Sequence, residues 1–407
     1  MKKTIALLVT LDTKDQEAGF LRDQIQAMGH EAFLIDIGVV GEPGIKADLS
    51  REELIRNGGG ALQELLKEPT REAANPYVKA GCIKTLTTKI AKGEVHAVLG
   101  LGGTQGTSTC CDVMQALPYG FPKVMVSTMA SGDTSEFVGI KDITMMFSVS
   151  DILKLNPFTR KILANAAAAA CGMAQVETKF QVEKGDKPLI GMSNLGVLTN
   201  GSMEAIKYIE SKGYEVIVFH AVGSGGRAME QMMKEGIIGA VFDYAMGEIA
   251  DDVWNVLRAG GPERLTVAGK LGLPQVFCPG GAEHLGVLVH PNEVPEAFKD
   301  HKYVFHSPVV FVPRLNEIEI LRVADDIIQR LQHTKGKAYF MIPTGGVGRY
   351  SYAGGVLEDR ISDEAFFNRL REGLPKNIKI IERANNAEDP EFVRECIDRL
   401  LELVEAS

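Results

Sequence analysis

No apolar run in the chain is long enough to cross a bilayer as a helix, which excludes a bundle of membrane-spanning helices. No C-x-x-C pair occurs. The 6 cysteines are scattered, with Cys110 and Cys111 adjacent, so neither a zinc site nor a disulfide framework is expected and a reducing cytoplasm fits. Positive charge is not in excess. With a net charge of -9, composition gives no reason to expect a nucleic-acid partner. A secretory leader is not expected either. The apolar stretch within Met1–Thr10 is brief, and Asp12, Lys14 and Asp15 follow at once, so it reads as a first buried strand.

What is present is ordinary in bulk and particular in detail. A length of 407 residues suits two or three domains, and 45% hydrophobic with 24% charged residues is usual for a soluble globular chain. One stretch organises the reading: Gly100-Leu101-Gly102-Gly103-Thr104-Gln105-Gly106-Thr107-Ser108-Thr109. It follows the strand-like Ala97-Val98-Leu99 and precedes a helix-like run, Cys110 to Leu117. Strand, glycine-rich turn and helix start is the geometry that holds a phosphate. Glycines admit a close approach, helix-start amides face the anion, and the hydroxyls of Thr104, Thr107 and Ser108 add donors. A Walker A loop would need a lysine, absent here, and a dinucleotide fingerprint would need glycine where Gln105 stands. The stretch is therefore an anion site of unassigned type, with a purely steric glycine turn as the alternative.

Along the chain, strands and helices alternate. Ile5–Val9 reads as a strand, 16–28 as a helix stopped by Gly29, and Phe33–Ile37 as a second strand, which makes a βαβ unit and a parallel sheet. Residues 38–75 read as an irregular insertion with short helices at 51–57 and 61–67, and 77–92 as a helix leading into the central strand. Lys123–Val126 reads as a strand ending in a second small-residue loop, Ser127-Thr128-Met129-Ala130-Ser131-Gly132-Asp133-Thr134. Two such loops on neighbouring strand ends would converge at one crevice. After a helix at 156–176 and a polar, turn-rich stretch, Lys184–Pro188, the order repeats: Leu189–Met192, Val216–Phe219, Gly239–Asp243 and Leu273–Cys278 answer the strands of the first half. Further strands are expected at Val309–Pro313, Ala338–Pro343 and Asn377–Ile381. The fold class is thus α/β: two tandem doubly wound Rossmann-like domains with mainly parallel sheets, 1–184 and 185–407.

In the second half, polar residues gather after the expected strands. His220 precedes Gly223-Ser224-Gly225-Gly226-Arg227, and Glu230 lies one helical turn on. A glycine-rich loop with arginine at a helix start suits a carboxylate or phosphate, and histidine is the residue type suited to carry a proton, which makes His220 a candidate for that role. His220, Arg227 and Glu230 are the candidate catalytic set. The alternative is that Arg227 pairs with Glu230 and ties the loop to its helix. Glu248, Asp251 and Asp252 read either as part of a site or as a solvated helix face, and Arg314 either as a ligand contact or as a partner of Glu317. Glu283 and His284 carry no diagnostic metal-ligand spacing.

Several of these runs resemble a known family: Asp12-Thr13-Lys14, Gly100–Gly103, Gly106-Thr107-Ser108, Ser127-Thr128, Ala130-Ser131-Gly132, Phe219-His220-Ala221 and Gly225 to Glu230. The likeness is to an uncharacterised protein family with a Tm-one-like ATP-binding domain, formed by the N-terminal region of the tomato mosaic virus resistance protein and many bacterial homologues. The resemblance implies two α/β domains and ATP in the first, with Asp12 to Lys14, Gly102 to Thr104, Gly106 to Ser108, Ser127, Thr128 and Ala130 to Gly132 as its binding residues. It implies no settled reaction; in the plant protein this region binds and blocks a viral replication protein. The chain departs from the pattern at Gln105, at Glu283-His284 and at Arg349-Tyr350. The expectation is a nucleotide-binding protein, with Mg2+ held by Asp12 or Asp133 beside the phosphates. It would be an enzyme acting on a small anionic metabolite in a cleft between the domains, and a homo-oligomer. The alternatives are an ATP-sensing module without turnover, or an enzyme for a phosphorylated substrate.

Overall fold

The computed structural model describes residues 1–67, 70–177 and 187–407. The chain divides into two compact units, Met1–Phe180 and Gln181–Ser407. The expected boundary between 184 and 185 lies outside the described residues.

In the first unit, β1 (Thr4–Val9), β2 (Glu31–Asp36), β3 (Ala97–Gly102), β4 (Lys123–Ser127) and β5 (Thr144–Phe147) form a five-stranded sheet in the order β2-β1-β3-β4-β5. All its pairings are parallel. Ile5–Val9 and Ala97–Gly102 are buried throughout, because helices cover both faces of a parallel sheet. Helices Asp15–Ala27 and Pro157–Ala174 cover one face through Leu21, Ile25, Leu163 and Ala167. Helices Arg71–Ala91 and Thr104–Gln115 cover the other through Val78, Leu86, Val113 and Met114.

The second unit repeats the plan. β6 (Ile190–Asn194), β7 (Val216–His220), β8 (Ala240–Ala245) and β9 (Gln275–Gly280) come first; β13 (Ala338–Pro343) and β14 (Ile378–Arg383) follow an insertion. The order is β14-β13-β9-β8-β6-β7, so in both sheets the first strand lies between the second and the third. The insertion carries β10 (Val287–Leu288), β11 (Tyr303–Ser307) and β12 (Val310–Pro313), a separate antiparallel sheet. The expected strand ending at Pro313 is therefore not part of the parallel sheet, and Arg314 does not sit at its ligand-binding end.

Candidate functional site

A doubly wound sheet opens a crevice where successive connections leave for opposite faces, beyond the C-terminal ends of the strands. In the first unit that point lies between β1 and β3. A cavity of about 480 Å³ sits there. Its walls come from four places: Thr10, Asp12, Thr13 and Lys14 after β1; Ile37, Gly38 and Val39 after β2; Gly102 to Gly106, Ser108 and Thr109 after β3; and Glu72, Asn75 and Val78 from helix Arg71–Ala91. Leu153 completes the rim.

The glycines of the central stretch do different jobs. Gly102 is buried, and a Cβ there would lie 2.7 Å from the Gly106 Cα, so helix and strand can cross closely only over glycine. Gly103 is open. A Cβ there would meet nothing closer than the Thr128 hydroxyl at 3.8 Å, and its backbone is ordinary extended chain, φ -78° and ψ -160°. Helix Thr104–Gln115 starts directly after it, six residues earlier than its sequence suggests, and no side chain caps it. Its first turn carries no acidic residue. The positive end of the helix thus faces the cavity without an internal anion.

Other expected ligand contacts turn away from this space. Thr107 is buried, and its hydroxyl shares a 2.7 Å hydrogen bond with that of Ser127, which in turn accepts from the Met129 amide at 2.9 Å. These two hydroxyls lock β4 against the helix. Thr128, Ala130, Ser131 and Gly132 are not among the cavity's lining residues. Asp133 caps its own turn through the Ser135 amide at 2.9 Å and is likewise absent from the lining.

The charged groups of the lining are Asp12, Lys14 and Glu72. Asp12 Oδ2 accepts from the Gly41 amide at 3.2 Å, while Oδ1 is buried with no hydrogen-bond partner. Lys14 Nζ donates to the Ile152 carbonyl at 2.5 Å. Asp36, at the end of β2, accepts from the amides of Leu11 and Gly38 at 3.1 and 2.9 Å, which fixes the two loops side by side. Burial pushes its pKa up despite those donors. The residues of helix Arg71–Ala91 and of the β2 loop carry no motif, and sequence reasoning missed them.

In the second unit, the structure turns Glu230 away from the other two residues of the candidate catalytic set. His220 is exposed at the end of β7, an edge strand, and its carbonyl lies where a Cβ on Gly225 would be. Arg227 is exposed, and its Nε donates to the Gly223 carbonyl at 3.2 Å. Glu230 faces inward: it accepts from the amides of Leu265 and Val267 at 2.5 and 3.1 Å and from Arg264 at 3.3 Å. It neither pairs with Arg227 nor reaches His220. The glycine loop does hold an anion, but an internal one. The amides of Gly223 and Gly226 donate to Glu248 Oε1 at 2.6 and 3.0 Å, and a Cβ on Gly226 would collide with the same carboxylate.

Glu248 and Asp251, for which a solvated helix face is one of two readings, are both fully buried. Arg264, also fully buried, bonds Glu248 at 2.6 Å and grips Asp243 at 2.5 and 2.6 Å. Asp251 binds Arg258 through Nε and Nη2 at 2.9 and 2.8 Å. Arg314 pairs with Asp363 at 2.6 Å rather than with Glu317. Glu283 and His284 are buried beside Arg258 and Arg314: Arg258 donates to the His284 carbonyl and Arg314 to the Glu283 carbonyl, at 2.9 and 2.7 Å. The polar residues after these strands are thus mostly joined to one another.

Three carboxylates around one arginine leave excess negative charge. Burial, with the neighbouring Asp243 adding to it, pushes the Glu230 pKa up from 4.5 to about 7. A raised acid pKa stabilises the fold below the unfolded value and loses that contribution as pH rises through the folded one. Between pH 6 and 8 the wild type is expected to lose roughly 1 kcal/mol from this group. Glu230→Gln should flatten that slope whatever its absolute Tm. Asp363, raised by burial to about 6, titrates mostly below this window. Melts across the window check it; an unchanged slope in the variant would place the proton elsewhere.

Comparison with known proteins agrees with this two-unit plan. The N-terminal domain of an uncharacterised protein family (UPF0261) matches residues 3–179, and the C-terminal domain of that family matches residues 187–404. A UPF0261 protein of Clostridium tetani is 40% identical over 408 residues, 100% of both chains. The ToMV resistance protein Tm-1(GCR237) of Solanum lycopersicum is 30% identical over 318 residues, which is 76% of this chain and 42% of that protein. Among solved structures, Acinetobacter baumannii MurG aligns over 98% of this chain and 100% of its own, at 13% identity and a TM-score of 0.22. The chain therefore belongs to the uncharacterised protein family UPF0261, with one family domain in each of its two units.

Proposed function

We propose that the cavity at the ends of β1 and β3 binds ATP, with the phosphates against the start of helix Thr104–Gln115. The observation that carries this reading is Gly103: open at its Cβ position, unstrained, and placed at an uncapped helix start within the cavity. The volume of about 480 Å³ lies in the range of small-molecule sites. The side chains of Thr104 and Ser108 add hydroxyl donors, and Lys14 adds a cation.

Two lining carboxylates against one lysine do not balance a triphosphate. The unpartnered Asp12 Oδ1 fits a hard divalent cation, and Mg2+ there would neutralise phosphate charge. Calorimetry should therefore show saturable ATP binding with a Kd below about 1 mM, tighter with Mg2+ than without it. Asp12→Asn keeps an acceptor for the Gly41 amide and is expected to abolish the gain from Mg2+. Equal gains from Mg2+ in both proteins would remove Asp12 from the cation site, and no uptake of ATP by the wild type would overturn the reading.

The loop before Arg227 already holds Glu248 and so lends no support to a site for a small acid. A second reading, an ATP-responsive binding module, takes its support from the relative named as a resistance protein. ATP uptake without phosphate release would favour it over an ATPase.

A further inference from the structure

The segment between β5 and helix Pro157–Ala174 has features that the cavity alone does not explain. Val149 sits at φ 63°, and across it the Ser150 amide donates to the Ser148 carbonyl at 2.7 Å. A three-residue turn with a positive-φ centre is rare and strained, more so on a β-branched residue. The Val149 side chain is 61% exposed, so no packing of its own offsets the strain. Strain held without a packing reason points to function.

Both flanks of the turn are fixed. The Ser148 amide donates to the Ser127 carbonyl at 3.1 Å, and Ile152 is buried in the layer that includes Leu163 and Ala166. The next residue, Leu153, is 77% exposed and yet lines the cavity. Lys14 joins the two: it too lines the cavity, and its ammonium is spent on the Ile152 carbonyl at 2.5 Å.

We propose that residues 148–153 are a ligand-gated strap, held back by the Lys14–Ile152 latch and closed by Leu153 over the nucleoside part of a bound nucleotide. This inference rests on the nucleotide reading of the cavity. A phosphate is a stronger partner for the ammonium than a neutral carbonyl, so an anion draws Lys14 off the latch. The freed strap then relaxes at Val149 and takes Leu153 out of water. Each change favours the liganded state over the free one, which is what a ligand-driven shift requires.

The test uses the full chain and two probes, Mg-ATP and Mg-tripolyphosphate, which lacks the nucleoside. Leu153→Ser should weaken ATP binding roughly tenfold and leave tripolyphosphate affinity unchanged. In hydrogen exchange, Lys14→Gln should speed exchange of the amides of 150–153 in the free protein by roughly tenfold, since the latch is gone. ATP affinity of Leu153→Ser within twofold of the wild type, or unchanged exchange in Lys14→Gln, would overturn the strap while leaving the nucleotide site standing. A wild type that takes up tripolyphosphate but binds ATP no more tightly would also overturn it. A wild type that binds neither probe overturns the nucleotide reading and the strap together.

Discussion

Gly103→Val is expected to abolish ATP binding, a loss of at least a hundredfold in affinity or about 3 kcal/mol, while the protein stays folded. Both halves follow from the same geometry. The extended backbone at Gly103, with φ at -78°, is one any residue adopts, and a Cβ there is 3.8 Å from its nearest neighbour. Branched methyls have room only because the space in front is cavity, and that space is where the phosphates are placed. A change at Gly102, where a Cβ would lie 2.7 Å from the Gly106 Cα, should unfold the unit instead. Thermal melts and calorimetry on the two variants separate the roles; unaltered ATP affinity in folded Gly103→Val would contradict the assignment.

Arg264→Met is expected to cost roughly 3–5 kcal/mol of stability, or to prevent folding of the second unit. Arg264 is fully buried and bonds Asp243, Glu248 and Glu230 together. Methionine matches much of its volume but leaves three carboxylates without their cation, and burial makes uncompensated charge expensive. By contrast Arg227→Lys, at an exposed residue whose Nε reaches only its own turn, should change stability by less than about 0.5 kcal/mol. Urea unfolding of both variants checks the pair. A loss near 1 kcal/mol for Arg264→Met would mean that the carboxylates find other partners or protons.

These two cases show which parts of the molecule could be read from its residues. Strands buried on both faces, such as Ile5–Val9 and Ala97–Gly102, stand out as apolar runs, and their order implied two doubly wound sheets. The edge strand β5 was missed because its four residues, Thr144–Phe147, are short and only half buried. Helix Thr104–Gln115 looked like loop for its first six residues, since Gly, Thr and Ser have low propensity for a helix interior and favour caps and turns. The helix expected over 77–92 begins earlier, at Arg71, so Pro76 lies inside it.

The sites followed the same rule. Asp12, Lys14 and Gly103 were legible because each lies in the loop directly after a strand. Asn75 and Leu153 reach the cavity from other elements and carry no local signal. The Arg227 loop was misread for a physical reason: a glycine-rich helix start does mark an anion, but sequence does not say whose. Here it is Glu248, 22 residues from Gly226, held in turn by Arg264.

The most direct measurement is a crystal structure of the protein grown with Mg2+ and a non-hydrolysable ATP analogue. Phosphate oxygens are expected about 3 Å from the backbone amides of the first turn of helix Thr104–Gln115, in front of Gly103, with the cation at Asp12. A nucleotide bound at another place, or phosphates pointing away from Gly103, would contradict it.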